Sequence, residues 1–374
     1  MINNLIVILL IVSIGFHFYK KKNNGKDSNR KIYIQIVSCI LILQSGLRNV
    51  AVGDDTYGYS IRFNDISQSS YNEIFGLIKN YLKTGIGIDP GYILIEKVFN
   101  DLTFGQFQLF LLCIASFFFY SLARFVYANT KTISDITLAY VIYSTLFFSF
   151  YSITGIRQTI STAIVLFAIP YIKKRNFLLF ITFIFIAFTI HKSALIFIPF
   201  YFMNRFKSMG RYIFLATLLL FPILMSLKGS MLSILQSFMG YEQYKQYEGA
   251  GTYVFTALFL VISILFYIRR KEIYKINGNA NYYLSALALC LVFLPLSWIN
   301  PSMLRVIMYF SIYLLVIIPT IINSYKKSSR KIYMDMKIAS IVILTLLYMN
   351  SNLSFEYRFY WEQMELGENY RRGE

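Results

Sequence analysis

Five basic side chains stand at four separate turns of this sequence, each beside an apolar segment. Arg48 follows the second apolar segment, Arg157 follows a glycine, His191 and Lys192 lie between two short apolar segments, and Arg305 follows an Asn-Pro turn. Cations that converge from different turns favour an anion, and a helix start that carries a guanidinium is a good site for a diphosphate. The spacing therefore predicts a diphosphate site, in which Gln158, the neighbour of Arg157, takes part.

Two adjacent carboxylates follow Arg48 in the motif GLRNVAVGDDTYGY, where Asp54 and Asp55 occupy one short turn. Such carboxylates bind sugar hydroxyls, form an ion pair with an arginine, or act as the base for an attacking hydroxyl. The imidazole of His191 is a rival base. The alternatives are a solvated acidic turn, a structural histidine, and arginines that reach towards lipid headgroups.

The elements that position these side chains must be apolar helices. Of 374 residues, 57% are hydrophobic and 14% are charged, which is too apolar a composition for a soluble core of ordinary size. Only helices and closed barrels satisfy their backbone in hydrocarbon, and the long uniform apolar runs lack the alternation of barrel strands. Cys39, Cys113 and Cys290 lie apart within apolar runs, so neither a disulfide framework nor a metal site is expected.

The apolar runs predict an all-α, polytopic transmembrane bundle of about twelve spans and a single membrane domain over residues 1–374. The first run is interpreted as an uncleaved span rather than a signal peptide. The two spans beside His191 are short, so we expect tilted helices or a re-entrant pair there. The predicted spans are 2–19, 32–46, 104–127, 133–151, 156–172, 177–190, 192–203, 212–227, 252–268, 282–299, 303–323 and 334–350.

Charge patterning predicts the orientation. The net charge is +18, and the basic residues form short clusters between spans rather than an arm with stacking aromatics, so nucleic acid is not the expected partner. Basic loops face the cytoplasm in most membrane proteins. This rule places the Lys-rich loops inside and both termini outside the cytoplasmic membrane. Most Asp and Glu residues then fall outside, with the candidate site.

Three segments are predicted on the outer side: a large loop over 45–103, a second loop over 228–251, and a C-terminal tail over 351–374. In the large loop, Ile74, Leu77, Ile78, Tyr81 and Leu82 follow a helical period and indicate an interfacial amphipathic helix.

A second helix in the large loop begins at Asp89 and Pro90, a helix cap followed by a first-turn proline. Its predicted apolar face carries Ile95, Val98, Phe99 and Leu102. A lid that packs on the bundle is the plainer interpretation of both helices.

Taken in order, these motifs resemble the EpsG family of polysaccharide polymerases, relatives of the Wzy polymerases of O-antigen and capsule assembly. The matching pieces run from about residue 45 to 310. On this resemblance Asp55, Thr56 and Tyr59 fit the family's aspartate motif, whereas Asp54 is an additional acid. The pieces are Arg48 with VGDDTYGY, then DPGYILIEKVF, GIRQTIS, HKSALIFIP and LRVIMYF.

The resemblance implies a metal-independent glycosyl transfer without a cofactor. The growing chain would leave its polyprenyl diphosphate carrier and join a hydroxyl of a new lipid-linked repeat unit, giving a capsule, O-antigen or exopolysaccharide. The hypothesis assigns the diphosphate to Arg157, Arg305 and Lys192, and the acceptor hydroxyl to Asp55 or His191. Arg48, Asp54, Thr56, Tyr59 and Gln158 would bind substrate. Membrane lipid, a chain-length regulator and a flippase are the further partners considered.

Three rival functions remain open at the level of the sequence. A flippase or other transporter would carry ionisable residues at mid-membrane, whereas the charges here lie at span ends. A membrane-embedded acyltransferase would use a His base, which His191 could supply. A purely structural membrane subunit would not need so many ionisable residues at the outer ends of its spans.

Overall fold

The computed structural model describes residues 2–20, 27–53, 55–85, 87–205, 209–239, 252–326, 328–350 and 356–366. Within these ranges the protein is helical, with one isolated antiparallel bridge between Arg48 and Phe359. The α-helices are α1 (Ile2–Lys20), α2 (Asp27–Gly46), α3 (Thr56–Asp65), α4 (Tyr71–Thr84), α5 (Pro90–Leu102), α6 (Phe107–Asn129), α7 (Ile133–Ile142), α8 (Ile156–Lys173), α9 (Phe177–Ile190), α10 (Ile198–Arg205), α11 (Met209–Leu219), α12 (Phe221–Ser226), α13 (Lys228–Met239), α14 (Tyr253–Ile276), α15 (Ala280–Phe293), α16 (Leu304–Ser311), α17 (Leu314–Ser324) and α18 (Arg330–Asn350).

The chain forms two compact units. The first comprises Met1–Leu166, Thr189–His191 and Met336–Glu374, and the second comprises Phe167–Phe188 and Lys192–Asp335. In the first, α2 packs along α6 and α1 along α7. In the second, α15 packs against α11 and α16, and α14 packs against α17. The prediction of a single membrane domain stays a prediction.

The predicted count of about twelve spans is not confirmed. Among the described residues, four helical segments are long and apolar enough to cross a membrane: Phe107–Asn129, Tyr253–Ile276, Ala280–Trp298 and Arg330–Met349. A fifth span is possible if the pair Pro301–Ser311 and Leu314–Ser324, bent by 58°, counts as one.

Other predicted spans are shorter or broken as helices. The predicted span 133–151 contains π-helical segments at Tyr143–Phe147 and Ser149–Thr154, and the predicted span 212–227 is divided at Leu220 into α11 and α12. Near His191, α9 has the predicted bounds, and a 3₁₀ segment at Lys192–Phe197 leads into the short α10. That α9 and α10 form tilted helices or a re-entrant pair in the membrane stays a prediction.

The long loop over 45–103 folds into α3, α4 and α5, so both helices predicted there form. Helix α4 begins with a capping box, in which Ser70 and Glu73 satisfy each other's backbone N–H groups. It ends at Gly85, whose φ of 70° is the left-handed conformation that glycine adopts at helix ends. Of its predicted apolar stripe, Ile74 is buried, whereas Leu77 and Leu82 are exposed.

The predicted apolar face of α5 is wrong. Leu102 is 67% exposed, and the buried side of the helix carries Tyr92, Ile93, Glu96, Lys97 and Asn100. Polar side chains can be buried here because they form hydrogen bonds and ion pairs. Asn100 donates a hydrogen bond to the Phe63 carbonyl, and Lys97 forms an ion pair with Asp101 at 2.9 Å. The periodicity alone could not reveal those partners.

Candidate active site

The buried carboxylate of Asp89 is the centre of a charged cluster in the first unit. Its Oδ2 lies 3.2 Å from Nη1 of Arg157 and 3.7 Å from Nδ1 of His191. Its Oδ1 accepts a hydrogen bond of 3.2 Å from the hydroxyl of Tyr81. Only 6% of the Asp89 side chain is exposed, and burying a carboxylate is costly unless it has such partners.

Local backbone features bring these residues together. Asp89 holds the N-cap position of α5 but makes no side-chain cap, so its carboxylate is available to the cluster. Gly91, in the first turn of α5, lies so close to Thr189 that a Cβ on it would come within 2.3 Å of the Thr189 hydroxyl. This close approach holds the start of α5 beside the end of α9, where His191 follows. Arg157 is the second residue of α8 and extends to the same carboxylate.

Tyr59 extends the cluster towards a second ion pair. Its hydroxyl accepts a hydrogen bond of 3.3 Å from Nε of Arg157. The guanidinium of Arg62 lies 5.0 Å from the ring centres of both Tyr59 and Tyr92, within the range of cation–π attraction. The same guanidinium holds the fully buried Glu96 through two bonds, of 2.9 and 3.0 Å. Tyr59 is thus placed between two arginines that are each paired with a carboxylate.

Burial shifts the pKa of two groups in and beside this cluster. It raises the pKa of Glu96, whereas the hydrogen bonds from Arg62 act in the opposite direction. Burial, and then the charge of Asp89, raise the pKa of Tyr81 as well. Tyr81 therefore stays a neutral phenol that can donate to Asp89.

Arg48 and Thr56 meet elsewhere in the first unit, at the Ile153 carbonyl. Arg48 donates to the carbonyls of Ser45, at 2.6 Å, and Ile153, at 3.4 Å, and the Thr56 hydroxyl donates to Ile153 at 3.1 Å. Gly53, with a φ of 82°, passes so close to Ile153 that a side chain on it would clash. Burial lowers the pKa of the Arg48 guanidinium to about 10.

The described part of the C-terminal tail packs against the residues that follow the C-terminal end of α2. The backbone N–H of Asn49 donates to the Arg358 carbonyl at 2.9 Å, and the Tyr360 N–H donates to the Leu47 carbonyl at 2.9 Å. In this structure Arg48 is only 3% exposed, so its guanidinium serves backbone carbonyls. A substrate role for it stays a prediction.

The remaining predicted residues lie in several places. Asp55 occupies the N-cap position of α3, one turn before Tyr59, and Gln158 is buried beside Arg157 in α8. In the second unit, Lys192 begins a 3₁₀ segment and Arg305 is the second residue of α16; their part in the site stays a prediction. Asp54 lies outside the described residues, as do half of the predicted loop 228–251, whose first half forms α13, and much of the tail 351–374.

The sequence motifs do not single out the central residue, because Asp89 before a proline is typical of a helix cap. They do not single out Arg62, Tyr92 or Glu96 either. A usable signal was present, because positions 89, 92 and 96 share one face of a helix and all carry polar groups. A buried polar stripe with helical spacing is typical of a site rather than of a lid.

Comparison with known sequences identifies the family of the chain. The sequence model of the EpsG family matches residues 31–363, a range that includes Asp89, Arg157 and His191. No curated protein and no solved structure matches the chain significantly. Because the match spans most of the sequence, the chain belongs to the EpsG family.

Proposed function

We propose that this membrane protein polymerises polyprenyl-diphosphate-linked oligosaccharide repeat units into a surface polysaccharide. Membership of the EpsG family suggests a polysaccharide-polymerase type of function, and the apolar helices suggest a membrane location. The proposal adds the reaction, a metal-independent glycosyl transfer on the outer face of the cytoplasmic membrane. The product would be a capsule, an O-antigen or an exopolysaccharide.

The observation that carries the proposal is the meeting of separate motifs at one carboxylate. Asp89 comes from DPGYILIEKVF, Arg157 from GIRQTIS, His191 from HKSALIFIP and Tyr59 from VGDDTYGY. The segments are distant in sequence, yet Arg157 and His191 both lie within 4 Å of Asp89. A cation, a carboxylate and an imidazole in one partly exposed cluster can bind an anion and move a proton.

In the proposed reaction, the acceptor hydroxyl oxygen attacks the anomeric carbon of the donor chain. A new C–O bond forms, and the bond between that carbon and the diphosphate oxygen breaks. The electron pair leaves with the polyprenyl diphosphate, and the hydroxyl proton passes to Nε2 of His191. Asp89, on the Nδ1 side of the ring, orients His191 and stabilises the imidazolium that forms.

Arg157 would stabilise the departing diphosphate. Its side chain is 29% exposed, compared with 12% for His191 and 6% for Asp89, so an anion can approach it. Positive charge placed where negative charge develops lowers the barrier of such a transfer. Lys192 and Arg305 are proposed to assist. Asp55, to which the resemblance gives the acceptor hydroxyl with His191 as the rival base, becomes the rival of His191 in this proposal.

The proposal is tested with Arg157→Ala in a strain that lacks the chromosomal copy. We expect the loss of long polymer, while single lipid-linked repeat units persist on the outer face of the membrane. Lys83→Ala, which removes an exposed cation from the loop that carries Asp89, is the control and should leave polymer length unchanged. Undiminished polymer in Arg157→Ala, at a normal protein level in the membrane, would exclude the assigned role.

A purely structural role for Arg157 is tested by a double variant. Arg157→Ala leaves the Asp89 carboxylate buried without its closest cation, and Asp89→Asn in the same chain removes that unpaired charge. If the ion pair serves only folding, Arg157→Ala is depleted from the membrane and the double variant returns to a normal protein level. If Arg157 acts on diphosphate, Arg157→Ala makes no polymer although its protein level is already normal. Protein level is the measured quantity here, because polymer length in the double variant also reflects the loss of Asp89. Repeat units that accumulate on the inner face would indicate a flippase instead.

A further inference from the structure

The second unit contains a basic cavity of about 380 Å³ that the proposed reaction does not use. Its walls come from α11, α14 and α15. Four of its lining residues are cations, namely Arg211 of α11 and Arg270, Lys271 and Lys275 of α14. The apolar wall includes the buried side chain of Leu284.

These four cations lack a carboxylate partner in the described part of the chain. None of them occurs in the ion pairs formed there. Arg270 instead donates to the Tyr267 carbonyl at 2.7 Å, and its guanidinium lies 3.9 Å from the Tyr267 ring centre. Like charges held around one cavity repel each other, and a bound anion relieves that repulsion.

The cavity has the chemistry of a phosphate site. The guanidinium groups of Arg211 and Arg270 offer forked N–H donors that match phosphate oxygens, and Lys271 and Lys275 add compact charges. Tyr267 and Tyr274 line the same space and present aromatic faces beside the cations. Tyrosines in this setting are typical of the membrane–water boundary.

The surroundings of the cavity favour a lipid as the source of the phosphate. Helix α14 is long and apolar enough to cross a membrane, and Val261, Ile264 and Ile268 are exposed along it. The exposed apolar surface stops at Ile268, and the basic segment that lines the cavity follows immediately. A lipid whose acyl chains lie along α14 would therefore bring its headgroup to these cations.

We propose that this cavity binds the phosphate of an anionic phospholipid headgroup. Basic pockets between membrane helices are suited to such headgroups, since the phosphate is charged and the chains stay in hydrocarbon. The inference is independent of the glycosyl transfer, because it concerns other residues and a directly measurable ligand.

The test measures the binding of fluorescent phosphatidylglycerol to the full-length protein in neutral detergent, with fluorescent phosphatidylcholine as the comparison lipid. The pocket variant carries Arg211→Gln, Arg270→Gln and Lys271→Gln. The control carries Lys326→Gln, Arg330→Gln and Lys331→Gln, which remove three exposed cations from the same unit. Each cation near an anionic headgroup strengthens binding about fivefold, so we expect the pocket variant to bind phosphatidylglycerol roughly a hundredfold more weakly.

The control should bind phosphatidylglycerol as the unmodified protein does. Equal affinity in the pocket variant and the unmodified protein, or an equal loss in the control, would overturn the proposal. Inorganic phosphate that binds as tightly as the lipid would assign the cavity to a free anion and also overturn it. A second measurement needs no variant: phosphatidylglycerol with a photoreactive headgroup should label peptides of α11 or α14, and labelling confined to other segments would contradict the inference.

Discussion

The surroundings of Arg48 and of Arg157 differ in what the two guanidinium groups bind. Arg48 is 3% exposed and donates to the carbonyls of Ser45 and Ile153. The Arg157 side chain is 29% exposed and contacts the carboxylate of Asp89 and the phenol of Tyr59. The buried guanidinium of Arg48 is enclosed with its backbone carbonyls, whereas the more exposed guanidinium of Arg157 can bind an incoming anion beside Asp89. The first arrangement fixes the backbone, and the second can do chemistry.

The largest expected effect concerns the reaction itself. His191→Ala removes the proposed base beside Asp89, and the loss of a general base lowers rates by about 10²–10⁴-fold. We expect this loss in the rate of polymer formation from purified lipid-linked repeat units, with little change in thermal stability. His191→Ala protein that polymerises at the normal rate would remove the histidine from the mechanism and leave Asp55 as the proposed base.

The next effect is on stability and concerns the support of Tyr59. Arg62→Ala leaves the fully buried carboxylate of Glu96 without its ion-pair partner. Breaking a buried ion pair in this way destabilises a protein by about 3–5 kcal/mol. We expect a fall of this size in the free energy of unfolding, measured by denaturation in detergent.

A double variant separates charge burial from loss of packing. Arg62→Ala with Glu96→Gln leaves no unpaired charge and should recover much of the lost stability. If the double variant is as unstable as the single one, the arginine contributes through its contacts with the rings of Tyr59 and Tyr92 rather than through the pair.

The two arginine regions also show what a sequence can predict. The all-helical class, the helices of the long loop and the bounds of α9 follow from apolar runs, the helical spacing of apolar residues and a proline at a helix start, which are local signals. The polar motifs GIRQTIS and HKSALIFIP were predicted to carry the site because charged residues are costly beside lipid. Their Arg157 and His191 do meet at one carboxylate.

The features that the sequence does not predict depend on contacts between distant segments. Asp before Pro is typical of a helix cap, and only the contacts of Asp89 with Arg157 and His191 give it a different role. The sequence pattern groups Arg48 with Arg157 because each lies beside an apolar run. The partners of Arg48 are the carbonyl of Ser45 in α2 and the carbonyl of Ile153 in a π-helical segment, and residue types alone do not specify them.

The smallest expected effect concerns the structural role of Arg48, which binds buried backbone carbonyls. Arg48→Ala leaves buried carbonyls at Ser45 and Ile153 without this donor, and an unsatisfied buried polar group costs about 1–3 kcal/mol. We expect the free energy of unfolding to fall by that amount, while polymerisation per folded molecule is retained. Arg358→Ala, at an exposed ion pair of the nearby tail, should change stability by less than about 1 kcal/mol.

Each outcome for Arg48 bears on the comparison with Arg157. An Arg48→Ala protein of normal stability that makes no polymer would place Arg48 in the reaction, as the resemblance implies, and both arginines would then serve substrate. A protein that is less stable but active when folded separates them. In that case the buried guanidinium holds the turn of Gly53 and Thr56 against Ile153, and Arg157 remains the arginine proposed for the diphosphate.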